Sequence, residues 1–145
     1  MKRFAFVVLV LCLSASTASA ANFGVRGGLS VNPDQFHVGG HVDVGTIFEP
    51  IRFVPNVEIG FGDNLTLVAI NGDFLFDIPE APFYVGGEIG VNIVSYDNDL
   101  VDGSNSEVGL SVMGGWHFSG PWLLEAKLGL VDSPDFKATV GYTFF

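Results

Sequence analysis

The sequence is short of cysteine and of positive charge. Cys12 is the only cysteine among the 145 residues, and it lies near the N-terminus. Asp and Glu number 16 against 6 Lys and Arg, which gives a formal net charge of −10. Because so acidic a chain is repelled by a phosphate backbone, we expect no nucleic-acid partner.

Long apolar runs are also missing from most of the chain. After Ala20, no window approaches the roughly 18 continuous apolar residues of a transmembrane helix. Nothing in that part of the sequence therefore predicts a helix that spans a membrane.

The first 20 residues have the composition of a targeting segment. Lys2 and Arg3 precede an apolar stretch over residues 4–13, and an A-x-A pattern ends at Ala20. This arrangement is typical of a cleaved secretory signal peptide, since the apolar stretch is too short to span a membrane. We expect residues 1–20 to be removed and residues 21–145 to form one domain. Cys12 would leave with the signal, which excludes disulfides and cysteine metal sites.

Polar and apolar residues alternate through the rest of the chain. Phe23, Val25 and Leu29 share one parity, whereas Arg26 and Ser30 share the other. A period of two predicts β-strands with one apolar face. Eight segments follow this pattern: residues 22–31, 35–47, 51–61, 65–78, 83–96, 106–118, 122–131 and 135–145. Turn-type residues between them favour antiparallel hairpins, which close into a barrel without exposed edges.

The polar parity indicates which face of the barrel points inward. It is poor in long charged side chains and rich in glycine, at Gly24, Gly28, Gly39, Gly60, Gly86, Gly90 and Gly109. Small residues suit the narrow interior of an eight-stranded barrel. The segments have 10 to 14 residues, which meets or exceeds the roughly 9 to 11 that a tilted strand needs to cross hydrocarbon. We therefore expect the apolar parity to face lipid.

Aromatic residues gather toward one end of the predicted strands. They are Phe23, Phe48, Phe53, Phe74, Phe76, Phe83, Trp116, Phe118, Trp122, Tyr142 and Phe144. Their clustering at one end is typical of the aromatic girdle of a membrane barrel.

The end of the chain completes a resemblance. Tyr142 and Phe144 form a Y-x-F pattern, followed by the final Phe145. With the signal-type start and the eight alternating segments, residues 21–145 resemble the small outer-membrane barrels of Gram-negative bacteria, the OmpA/OmpX type. This resemblance implies an all-β, eight-stranded antiparallel up-and-down transmembrane β-barrel. It also implies that Tyr142, Phe144 and Phe145 form a recognition signal for the barrel-assembly machinery.

Charged side chains fall on the inward parity near the strand centres. They are Arg26, His41, Asp43, Glu58, Asp73, Glu88, Glu125 and Lys127. Because buried charges require partners, we expect a plug of ion pairs in which Arg26 lies beside Asp43 and Lys127 near Glu125. The alternative is a proton or ion path, since acids outnumber bases on this face.

Other chemistry-bearing residues give weaker patterns. His37, His41, His117 and Ser111 occur without a G-x-S-x-G motif, so we expect no catalytic site. His37 and His41 share a face about 13 Å apart, which is too far for one metal ion. Asp97, Asp99, Asp102 and Glu107 fail the EF-hand spacing, although a loosely held cation is the alternative to a solvated loop. No cofactor is predicted.

These patterns predict a non-enzymatic, monomeric outer-membrane barrel with a structural or surface-interaction role, a plugged polar lumen and acidic outer loops. Its expected partners are outer-membrane lipid, lipopolysaccharide and the assembly machinery. Two alternatives remain open. One is a narrow, porin-like channel for small solutes or ions, and the other is a soluble periplasmic barrel that binds an apolar ligand.

Overall fold

The computed structural model describes residues 21–62, 65–96 and 105–144. Within these residues the chain forms eight strands of one sheet, one of them in two segments. The strands are β1 (Asn22–Val31), β2 (Gln35–Asp43 and Gly45–Phe48), β3 (Ile51–Gly62), β4 (Leu65–Asp77), β5 (Phe83–Tyr96), β6 (Asn105–Ser119), β7 (Trp122–Val131) and β8 (Phe136–Thr143). The proposed signal peptide, residues 97–104 and Phe145 lie outside the described residues. No helix in the described ranges is long and apolar enough to cross a membrane.

The sheet closes on itself in sequence order. Each strand pairs antiparallel with the next, and β1 also pairs with β8. Both segments of β2 pair with β3. The predicted fold, an eight-stranded antiparallel up-and-down barrel, is therefore confirmed.

The strands are staggered around the barrel. Following the paired residues from Arg26 around the barrel through β2, β3, β4 and β5 leads to Glu107 on β6. Following them in the other direction, through β8 and β7, leads to His117 on β6. The two routes arrive ten residues apart on the same strand. Such a displacement tilts the strands against the barrel axis and leaves an interior that side chains fill.

One strand departs from its predicted form. The sequence predicts a continuous strand over residues 35–47, whereas the structure interrupts β2 at Val44. Gly45 has a φ of +85° and donates its backbone N–H to Asp43 Oδ1 at 2.9 Å. This left-handed residue accounts for the phase shift of Ile47 in the apolar pattern. It adds one residue to the strand, so after it the odd-numbered residues instead of the even-numbered ones face outward.

The apolar parity faces outward. Side chains such as Phe23, Leu29 and Leu130 are 56 to 63% exposed, whereas the polar parity is buried inside the barrel. The eleven aromatic residues that the sequence places at one end lie at the end that carries the turns after Phe48, Asp77 and Ser119. Several contact one another there, as in the stacked pair Phe83–Trp116 and the edge-on pair Trp122–Tyr142. We call this the aromatic end, and the opposite end the acidic end. Three other exposed aromatic side chains, Phe36, Phe61 and Phe136, lie near the acidic end.

A small apolar cluster fills the interior toward the aromatic end. Val54, Leu75, Tyr84 and Met113 are each at most 6% exposed and pack together inside the barrel. Charged and amide side chains occupy the interior beyond them. The interior is therefore divided into a short apolar part and a longer polar part.

Candidate functional site: the charged lumen

Most of the predicted lumen residues lie inside the barrel. Seven of the eight are at most 8% exposed: Arg26, His41, Glu58, Asp73, Glu88, Glu125 and Lys127. They come from six strands, because each lies on the inward parity near its strand centre. A set drawn from six strands meets only because the barrel is closed and narrow.

Arg26 lies between three carboxylates. Its Nη1 atom is 3.5 Å from Glu58 Oε1, 3.5 Å from Asp73 Oδ2 and 3.3 Å from Glu125 Oε1. The guanidinium of β1 thus connects β3, β4 and β7 across the lumen. In the register Arg26 faces Gly39 on β2 and Gly141 on β8, so no bulky inward side chain flanks it on the neighbouring strands.

Lys127 binds a second pair of carboxylates. Its Nζ donates to both carboxylate oxygens of Asp73, at 3.2 and 3.3 Å, and to Glu88. Asp73 and Glu88 are directly opposite one another in the register of β4 and β5. Asp73 therefore joins the Arg26 contacts and the Lys127 contacts into one network.

Two further residues of the network were not predicted from the sequence. Lys137 Nζ binds Glu58, and the Tyr84 hydroxyl donates to Glu125 Oε2 at 2.7 Å. Lys137 shares the inward parity of Thr139, so the alternation of β8 alone was enough to place it in the lumen. Tyr84 gave no such signal, because its apolar ring and aromatic neighbours hide its inward parity.

The predicted pairing of Arg26 with Asp43 is wrong. Asp43 lies opposite Asn22 in the register, four residues from Arg26, and is half-buried at the aromatic end. Its Oδ2 accepts a hydrogen bond from Arg52 Nη1 at 2.8 Å. Arg52 also binds Asp77 through two parallel hydrogen bonds of 2.8 Å. We call Arg52, Asp43 and Asp77 the rim cluster.

The expected proximity of Lys127 and Glu125 yields no ion pair. They are two residues apart on β7, so both side chains point inward but end on different partners. Glu125 contacts Arg26 and Tyr84, whereas Lys127 contacts Asp73 and Glu88. The rim cluster meets this network through Tyr84, since the Arg52 guanidinium lies 5.3 Å from the centre of the Tyr84 ring.

Two histidines of β2 form hydrogen bonds across β1 to threonines of β8. His37 Nε2 is 3.0 Å from Thr139 Oγ1, and His41 Nε2 is 3.0 Å from Thr143 Oγ1. Gly28 and Gly24 lie between the members of each pair in the register of β1. Both imidazoles therefore hydrogen-bond to threonine, and among the described residues no three His, Cys, Asp or Glu are arranged to hold a metal ion.

The remaining predicted residues are placed only in part. Glu107 is exposed on β6, whereas Asp97, Asp99 and Asp102 of the suggested cation loop lie outside the described residues. Ser111 is buried opposite Glu88, while His117 is exposed at the aromatic end, so the two are not brought together.

The last strand ends among the aromatic residues. The Tyr142 ring lies 4.9 Å from Trp122 and 5.2 Å from Phe144, and Phe144 is half-exposed on the outer surface. The Phe144 backbone N–H donates to the Phe23 carbonyl oxygen. Phe145, the third residue of the suggested assembly signal, lies outside the described residues.

Comparisons with known proteins show the fold. No protein-family model matches the sequence, and no curated protein is significantly similar to it. The structure is similar to a crystal structure of the N-terminal β-barrel domain of Pseudomonas aeruginosa OprF, with a TM-score of 0.51 and 12% sequence identity. The similarity covers 86% of this chain and 96% of that domain. It supports the predicted OmpA-type barrel architecture over nearly the whole described region.

Proposed function

We propose that this chain is an outer-membrane β-barrel protein whose lumen is closed by its own ion pairs. Its role is structural or one of surface interaction, and it is neither an enzyme nor a transporter. The observation that carries this proposal is the network in which Arg26, Lys127 and Lys137 bind carboxylates from four strands inside the barrel.

The outer surface supports a membrane location. Apolar side chains cover the outward parity of all eight strands, and exposed aromatic rings are concentrated at the aromatic end, with Phe36, Phe61 and Phe136 near the other end. Water would disfavour so large an apolar surface, whereas hydrocarbon solvates it. The architecture shared with the OprF domain is consistent with this location, and the signal-type sequence at residues 1–20 provides a route of export.

The interior supports a closed lumen. An eight-stranded barrel has room for side chains but little else, and here the side chains bind each other from wall to wall. The apolar cluster around Tyr84 occupies the interior next to the network, and the rim cluster lies at the aromatic mouth. Ions would have to break several charge-assisted contacts in order to pass.

The acidic end supports a surface role. Asp34, Asp132 and Asp135 are at this end among the described residues, and Asp135 accepts a hydrogen bond from Asn32 at 2.9 Å. The sequence has no Lys or Arg in any of the four connections at this end. Such a rim suits contact with lipopolysaccharide through bridging divalent cations, and β8 suits recognition by the assembly machinery.

The two alternative functions fit the interior less well. A soluble barrel for an apolar ligand needs an apolar lumen and a polar outside, which is the reverse of the observed faces. A narrow channel needs a continuous aqueous path, which the paired charges and the apolar cluster obstruct. The channel alternative is the one that a direct measurement must exclude.

Conductance in planar bilayers tests the proposal. We expect no steady, large conductance from the wild-type protein, because the network fills the lumen. Lys127→Ala removes a cation that binds two carboxylates and is expected to admit water and raise the conductance. Glu107→Gln, which changes an exposed charge, serves as the control. A gel that compares heated and unheated samples shows whether each variant retains the folded barrel. Steady wild-type current that Lys127→Ala leaves unchanged would contradict the proposal.

A further inference from the structure

The buried network has more acidic than basic groups. Its bases are Arg26, Lys127 and Lys137, and its acids are Glu58, Asp73, Glu88 and Glu125, all at most 8% exposed. If all seven groups were ionised, one negative charge would remain without compensation. Such a charge is costly in a narrow, water-poor interior, so the network requires one further proton or cation.

The placement of Asp73 and Glu88 identifies the place for that positive charge. Their side chains lie on adjacent strands at directly opposite positions, and both bind Lys127 Nζ. Because one ammonium group contacts both, the two carboxyl groups are held close to each other. Two ionised carboxylates this close repel each other, whereas a proton on one of them lets it donate a hydrogen bond to the other.

Glu88 has fewer partners than the other acids of the network. Glu58 is bound by Lys137 and lies near Arg26, and Glu125 accepts from the Tyr84 hydroxyl and lies near Arg26, although Oε1 of each has no hydrogen-bond donor. Asp73 lies near both Lys127 and Arg26, whereas the ion-pair partner of Glu88 among the described residues is Lys127, which it shares with Asp73. A nearby cation stabilises an ionised carboxylate, so the extra proton is most favourable on Glu88, beside Asp73.

The histidines are also poorer sites for the proton. His41 Nδ1 lies 3.5 Å from Arg26 Nε. His37 Nε2 pairs with the Thr139 hydroxyl, and Lys137 lies two residues from Thr139 on the same inward face of β8. A positive imidazolium at either position would be close to another positive charge.

We propose that Asp73 and Glu88 share one proton in the folded barrel at neutral pH and form a carboxyl–carboxylate pair. The charged groups facing the pair are Lys127 from β7, Lys137 from β8 and Arg26 from β1, and Ser111 on β6 is opposite Glu88. With this proton the buried acids and bases balance. The lumen thereby contains a titratable site in addition to its proposed role as a plug.

The shared proton makes the stability of the barrel depend on pH in a defined direction. In the unfolded chain, Asp and Glu lose their protons near pH 4. Above that pH the folded barrel binds one proton more than the unfolded chain, so the free energy of unfolding decreases as the pH rises. The decrease ends where the folded pair itself loses the proton, since both states then bind the same number.

Infrared spectroscopy of the purified barrel in detergent tests the proposal. At neutral pH the wild-type protein should show the carbonyl band of a protonated carboxylic acid, shifted when H₂O is exchanged for D₂O. Glu88→Gln and Asp73→Asn should each abolish that band, because the amide replaces the protonated partner and leaves one ordinary carboxylate. Glu107→Gln, with its exposed side chain, should retain it. Absence of the band in the wild-type protein, or its persistence in both variants, would overturn the proposal.

Urea unfolding over a range of pH provides a second measurement. Glu88→Gln keeps the size of the side chain and can donate to Asp73, so it is expected to fold. A difference of one bound proton changes the wild-type unfolding constant about tenfold per pH unit relative to this variant. Parallel pH dependences in the two proteins would overturn the proposal. So would a wild-type stability that follows the sodium or potassium concentration instead, since this would indicate a bound cation.

Discussion

Among single residues, Arg26 has the most ionic partners in the lumen. Its guanidinium lies within 3.5 Å of Glu58, Asp73 and Glu125, and its side chain is 1% exposed. Arg26→Ala would leave these carboxylates without their shared cation. We expect a loss of about 3 to 5 kcal/mol in the free energy of unfolding, unless water enters the lumen and reduces the loss. Urea unfolding in detergent measures it.

Arg52→Ala is the matched control for Arg26→Ala. Arg52 also has carboxylate partners, but its side chain is 14% exposed and that of Asp77 is 52% exposed. Water solvates these groups in part, so we expect a smaller loss in the free energy of unfolding, about 1 kcal/mol. Equal losses from the two substitutions would mean that the lumen is as well hydrated as the rim.

The sequence predicted which residues face the lumen better than it predicted their contacts. Alternation assigns Glu58 and Lys127 to the inward parity, because successive side chains of a strand point to opposite faces. Alternation does not predict which charged residue binds which, because the ion pairs depend on the register between strands that are far apart in the chain. Arg26 and Asp43 looked adjacent because their strands are neighbours, yet the register separates them by four residues.

Among the strands, β1 is set apart by the small residues that flank its long side chain. Gly24 and Gly28 each lie between a histidine of β2 and a threonine of β8, whereas Arg26 lies between two glycines. Along the inward face, rows with glycine on β1 and larger side chains on β2 and β8 therefore alternate with a row that has arginine on β1 and glycine on both neighbours. This arrangement lets His37 and His41 reach across β1 and connect β2 to the last strand.

Gly28→Ala tests this arrangement. A Cβ atom at Gly28 would contact the Ala138 carbonyl and lie 2.9 Å from Thr139 Cα, so the backbone of β8 would have to move. We expect a loss of about 1 to 3 kcal/mol in the free energy of unfolding, as for other overpacked sites. The shift should also weaken the His37–Thr139 hydrogen bond. Urea unfolding in detergent measures the first effect.

Gly40→Ala is the control for Gly28→Ala. Gly40 is on the outward face of β2, and a Cβ atom there would meet its nearest neighbour, the Gly24 carbonyl oxygen, at 3.5 Å. We expect a change within about 0.5 kcal/mol, since nothing has to move. A loss at Gly40 as large as that at Gly28 would show that glycine is needed for backbone reasons and not for space in the lumen.

The strand boundaries were predictable to within a few residues, and their interruption was not. Alternation and turn residues place β7 at Trp122–Val131, as observed, because both signals are local. The break at Val44 depends on a single left-handed residue, Gly45. In the sequence, the break shows only as Ile47 being one residue out of phase with the preceding apolar residues. Alternation detects this shift but does not indicate its cause.

Across the whole molecule, the two ends of the barrel differ in chemistry. The aromatic end has short turns, both ends of the described chain and the rim cluster, whereas the acidic end has Asp34, Asp132 and Asp135. The fold was predictable at this scale. Eight alternating segments with short connections have few arrangements that leave no edge strand unpaired, and a closed barrel is one of them. The 12% identity to the OprF domain shows how little sequence this architecture requires.

The difference between the ends predicts the orientation in the membrane. Tyr96 and Asn105 flank the connection between β5 and β6 at the acidic end, whereas Glu80 is in a turn at the aromatic end. With the aromatic end toward the periplasm, an epitope tag inserted after Gly103 should bind antibody on intact cells. A tag after Glu80 should bind only once the outer membrane is permeabilised, and surface labelling with and without permeabilisation measures both. If the tag after Glu80 were labelled on intact cells and the tag after Gly103 were protected, the barrel would have the opposite orientation. The acidic rim would then face the periplasm, and a surface role through lipopolysaccharide would no longer be tenable.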